Sequence, residues 1–69
     1  MIKFENKLNG RFYYVEIKKD LFEDVVIHIR RGGRNALVER LIFCSDARAA
    51  REELRIIHKR RIERGYTLV

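Results

Sequence analysis

"ALVERLIFCSDARAAREEL", residues 36–54, is where the chain changes its period. Up to Phe43 the residues are apolar or β-branched over a run of strand length. After Ser45 they are good helix formers with apolar positions at helical spacing. Ser45 is the expected N-cap, and Asp46 places a negative charge in the first turn, where the helix dipole favours it. No glycine or proline follows until Gly65, which fits the left-handed residue that closes a helix, with Tyr66 folding back over the last turn. At about 100° per residue, Ala47, Ala50, Leu54, Ile57 and the stem of Arg61 fall on one side, the side expected to face a sheet.

Upstream the period is two. "IKFENKL" (2–8) alternates Ile2, Phe4 and Leu8 with polar residues, and Asn9-Gly10 suits a tight type I′ hairpin. "RFYYVEIKK" (11–19) puts Tyr13, Val15 and Ile17 on one face, Phe12 and Tyr14 on the other. A polar break begins at Asp20. "VVIHIR" (25–30) then divides into Val25, Ile27 and Ile29 against Val26, His28 and Arg30. In the fourth strand Leu37, Leu41 and Phe43 compete with Val38 and Ile42 for the inward face, so its register stays open. The expectation is one α+β domain over residues 1–69. It has an antiparallel sheet of about four strands, one C-terminal helix packed on one face and the other face partly open.

A chain of 69 residues buries only about 60% of the surface its unfolded form exposes, and its single cysteine permits no internal disulfide. Two scattered histidines and Cys44 give no zinc-ligand spacing, so no metal and no cofactor is expected. No apolar run reaches the roughly 20 residues of a membrane helix and no leader pattern opens the chain, so the expected setting is the cytoplasm.

Catalysis finds little support. Cys44 stands just before the helix, where a thiolate could be stabilised and His28 or His58 could in principle serve it, but it reads first as a small residue at a strand end. His28 reads as a surface histidine and His58 as a spacer beside the buried stripe. Paired carboxylates, a phosphate loop and a dinucleotide fingerprint are all absent. The expectation is a protein that is not an enzyme, with no small-molecule substrate.

Charge is more informative. Residues 1–29 hold five basic and five acidic side chains, so the whole formal charge of +6 lies in residues 30–69, where ten of the eleven basic residues are arginine. Such asymmetry points to a polyanion. Arg30, Arg31 and Arg34 surround the pair Gly32-Gly33, whose backbone freedom allows a tight reversal with N–H groups turned toward an anion. Arg40 lies close by in sequence. On the helix, Arg48, Arg51, Arg55 and Lys59 form a second basic stripe, able to join the loop only if both share a side of the domain. Arg60, Arg61 and Arg64 crowd the last turn, where the helix dipole alone would favour them.

The segments "RFYYVEIKKDLF", "VVIHIRRGGR", Phe43 and Ser45 before a helix, and "KRRIERGY" together resemble the WGR domain over about residues 9–66. That family is named for a Trp-Gly-Arg motif and occurs in small bacterial proteins and in DNA-damage-dependent poly(ADP-ribose) polymerases. The resemblance implies an antiparallel sheet with one helix against it, and contact with DNA. Either Gly32-Gly33-Arg34 or Arg31-Gly32-Gly33 falls at the name-giving motif, and the chain has no tryptophan. A stacking ring there would be worth about 1 to 3 kcal/mol, and glycine supplies none.

The leading expectation is a non-catalytic module binding nucleic acid, DNA first, with low sequence specificity, through Arg30, Arg31, Gly32, Gly33, Arg34 and Arg40, and through Arg48, Arg51, Arg55 and Lys59 if the stripe converges. The alternative is a protein-interaction module or homodimer using Phe12 and Tyr14 on the open sheet face, with Ile56 on the helix.

Overall fold

The computed structural model describes residues 1–19 and 24–69. The "DLF" segment and the start of the polar break lie outside the described residues. The elements are β1 (Ile2–Asn6), β2 (Arg11–Lys19), β3 (Val25–Gly32), β4 (Leu37–Cys44), α1 (Ala47–Glu63) and β5 (Thr67–Leu68). The sheet order is β4-β3-β2-β1-β5 with every pair antiparallel, and α1 packs on one face. This is the α+β architecture expected. The added feature is β5, which turns the expected tail into an edge strand. There the Val69 N–H donates to the Lys3 carbonyl and the Thr67 hydroxyl to the Glu5 carbonyl.

Register decides which side chains meet. Phe4 pairs with Tyr13, Ile2 with Val15, Val15 with Ile29, Ile17 with Ile27, and Ile27 with Ile42. Because directly opposed residues share a face, this series forms the helix-side face, and Ala50, Leu54 and Ile57 of α1 pack on it. Phe4, Val15, Ile27 and Ile29 are the largest fully buried side chains. Burying each contributes about 1.5–3 kcal/mol.

The open register of β4 resolves the same way. Ile27 opposite Ile42 carries Val38, Arg40, Ile42 and Cys44 to the helix side, and Leu37, Glu39, Leu41 and Phe43 to the other. Cys44 is buried at the strand end.

Three local expectations are corrected. β1 stops at Asn6, and four residues, Lys7 to Gly10, make the turn in place of a two-residue hairpin. Asn6 diverts the chain: its Oδ1 accepts from Leu8 N and its Nδ2 donates to the Arg64 carbonyl, so this buried amide joins the turn to the end of α1. Leu8 is left 97% exposed. The N-cap is Asp46, not Ser45; its Oδ1 accepts from Ala49 N at 2.8 Å from an extended backbone. Carboxylate and hydroxyl cap equally well, and which is used depends on where β4 releases the chain. Gly32 and Gly33 do not adopt positive φ, which among the glycines belongs to Gly10 and Gly65. Gly32 is needed for closeness, since a Cβ there would lie 1.9 Å from the Ala36 carbonyl oxygen.

The helix ends as expected. Gly65 is left-handed, its N–H donates to the Ile62 carbonyl, and the Tyr66 N–H reaches back to the Arg61 carbonyl. This double closure is the Schellman motif. It lays Tyr66 over Arg61.

Candidate functional site

Arg30 and Arg31 are neighbours in the chain and lie on opposite faces of the sheet, because side chains alternate along a strand. Arg30 stands opposite Tyr14 and Glu39 on the face away from the helix. Its Nε lies 3.5 Å from Glu39 Oε1, and His28 Nε2 lies 3.8 Å from the same carboxylate. Arg31 stands opposite Tyr13 and Val38 on the helix side. Arg40, opposite Ile29, joins it there.

The C-terminal half of α1 crosses this end of the sheet and brings more arginine. One hollow, of about 210 Å³, is lined by Arg31, Arg40, Arg60, Arg61 and Arg64 around Tyr13 and Ile57, with Glu53 as its single carboxylate. An adjoining hollow of about 520 Å³ is lined by Arg11, Arg31, Arg34 and Arg61 with Phe12, Tyr66 and the Gly32-Gly33 backbone, and among the described residues no acid lines it. Arg31 and Arg61 border both, so the two hollows lie side by side as a groove between the β3–β4 loop and the helix end. Among the described residues, none of these seven arginines forms an ion pair.

Arg61 is the fixed member. Its guanidinium carbon lies 4.3 Å from the Tyr13 ring centre and 5.2 Å from that of Tyr66, with the two rings edge to face at 6.4 Å. Cation–ring attraction of this kind is worth about 0.5 to 2 kcal/mol, more as water is removed. The Nε–H is buried without an acceptor. The side chain is thus held by rings rather than by a carboxylate. Its charge stays uncancelled and its position is set in advance.

The loop itself gives less than its composition suggests. The Gly33 N–H donates to the Ala36 carbonyl at 3.1 Å, so it closes the turn and is not available to an anion. Arg34 extends from this loop into the larger hollow.

The helix stripe stays apart. Arg48, Arg51, Arg55 and Lys59 are all exposed and line neither hollow. At about 100° per residue they fall on the side of α1 turned away from Ala50 and Ile57. Arg55 donates to Glu52 at 2.6 Å, and this bond and charge hold the Glu52 carboxyl below its ordinary range and raise Arg55. The stripe therefore does not line the groove. Arg30 also leaves the loop cluster, drawn to Glu39. Arg11, Arg60, Arg61 and Arg64 join the groove although no binding role was read for them from the sequence. The signal for the last three was their crowding in one turn. Arg11 gave none, because its place depends on the length of the β1–β2 turn.

Of the residues expected at a protein interface, Phe12 and Tyr14 lie on the open sheet face with ring centres 4.8 Å apart, both half-buried, and Ile56 is half-buried on α1. His28 is mostly covered beside Glu39, and His58 is exposed with its ring 5.7 Å from that of Phe4. Among the described residues no group of histidine, cysteine and carboxylate side chains is arranged to hold a metal, and no helix is long and apolar enough to cross a membrane.

No protein-family model, no curated protein and no solved structure matches the chain.

Proposed function

We propose that the chain is a non-catalytic nucleic-acid-binding module, with DNA as the preferred polymer, and that the groove between the β3–β4 loop and the end of α1 takes the phosphate backbone. The observation carrying this reading is the gathering of Arg11, Arg31, Arg34, Arg40, Arg60, Arg61 and Arg64 around one groove with Glu53 as the only acid on its walls among the described residues. Like charges at such density repel, and a polyanion relieves that repulsion while releasing its own counterions. Guanidinium forks suit phosphate oxygens in pairs. Contacts of this kind fix position and carry no base information, so affinity falls steeply with salt and depends little on sequence. The resemblance to the WGR domain points the same way, with charge replacing the missing tryptophan ring.

Fluorescence anisotropy of a labelled duplex at about 50 and 200 mM salt tests the reading. The expected result is strong salt dependence in the natural chain and a reduced slope in Arg31→Glu/Arg34→Glu. Weak, salt-insensitive binding that is equal in both proteins would dismiss it.

A further inference from the structure

The sheet face opposite the helix has a different chemistry. Leu37, Leu41 and Phe43 project from β4 with 62%, 53% and 70% of their surfaces exposed, although each could have been polar without loss to the core. Val26 of β3 stands opposite Phe43, and Tyr14 of β2 adds a half-buried ring beyond Arg30.

The charges on this face cancel. Its strand side chains carry Lys3, Lys18 and Arg30 against Glu5, Glu16 and Glu39. Lys18 and Glu16 are 3.7 Å apart, and Arg30 and Glu39 are 3.5 Å apart. The chain as a whole carries +6, so among the described residues this balanced face lets two copies meet without strong repulsion. A polyanion would find nothing to attract it there.

Area points the same way. The Cα frame measures 39 × 23 × 15 Å, and its broadest aspect is on the order of the roughly 800 Å² that each partner gives to a specific interface.

We infer that a second copy of this chain docks on the open sheet face, apolar β4 side chains against their two-fold mates, leaving both arginine grooves on the outside. A two-fold axis needs a self-complementary patch. An apolar row beside equal numbers of acidic and basic side chains meets that need.

Sedimentation velocity on the full chain from about 1 to 200 µM tests the inference, at about 0.15 M and 1 M salt, where the Debye length falls from about 8 to 3 Å. The expected result is a dimer that survives the higher salt and becomes a monomer in Leu41→Glu/Phe43→Glu, with circular dichroism and duplex binding retained. Glu39→Arg gives the face a net positive charge and should weaken the dimer at least about tenfold, with Arg30→Glu added to it restoring neutrality and affinity. This second pair decides the matter if the first variant fails to fold. A natural chain that remains monomeric throughout, or a dimer equally tight in all foldable variants, would overturn the inference. The duplex assay reads the other face, so failure of either idea leaves the other standing.

Discussion

The two faces of this sheet use arginine in opposite ways. On the outer face Arg30 lies against Glu39, and the strand charges balance. On the helix side Arg31 and Arg40 face Arg60, Arg61 and Arg64 with Glu53 as the one carboxylate among them. Residues adjacent in the chain thus belong to different electrostatic environments. Charge count per segment says what a protein attracts; strand parity says where.

The largest contrast expected between the faces is in stability. Ile27 has no exposed surface and lies between Ile17 and Ile42, whereas Leu41 projects from the outer face of β4. Ile27→Ala should cost about 2 to 5 kcal/mol in denaturant unfolding. Leu41→Ala in dilute solution should cost less than about 0.5 kcal/mol. Equal losses would break the assignment of inside and outside.

Next comes binding. Arg31→Glu/Arg40→Glu should weaken duplex affinity about a hundredfold at low salt, equal to about 2.8 kcal/mol, and flatten the salt slope by about two. Arg30→Glu, one residue away on the other face, should change affinity less than about threefold. If Arg30→Glu were as damaging as Arg31→Glu, the division between faces would not hold.

A smaller effect separates charge from placement. Arg61→Lys keeps the charge but lacks the planar fork that lies between Tyr13 and Tyr66. Affinity should fall about five- to tenfold, with the salt slope nearly unchanged. Smallest of all, Arg48→Glu/Arg55→Glu on the outer side of α1 should alter affinity less than about threefold near 0.15 M salt, because screening acts over about 8 Å.

Much of the fold was legible because each signal was local and repeated. Alternation in β2 and β3, the change of period after Cys44, and Gly65 with Tyr66 each needed only neighbouring residues. The β4 register was not legible, because Leu37, Leu41 and Phe43 are as apolar as Val38 and Ile42, and pairing with Ile27 decides between them. The Asn9-Gly10 hairpin misled because Asn6 buries its amide against the helix end, a contact spanning 58 positions. The same limit applies to the groove. Alternation in β3 already set Arg30 apart from Arg31, yet their shared "RRGGR" segment invited grouping them. Bringing Arg31 and Arg40 to Arg60, Arg61 and Arg64 also required the direction in which α1 crosses the sheet. That direction is a property of the packed chain.

Amide and arginine Nε shifts of the ¹⁵N-labelled chain, followed as a short duplex is titrated in, test the central claim most directly. Perturbations are expected on Arg11, Arg31, Arg34, Arg40 and the stretch from Arg60 to Gly65, with Arg30, Leu41 and Phe43 unmoved. Perturbations centred on the outer face of β4, or spread evenly over the arginines of both faces, would contradict it.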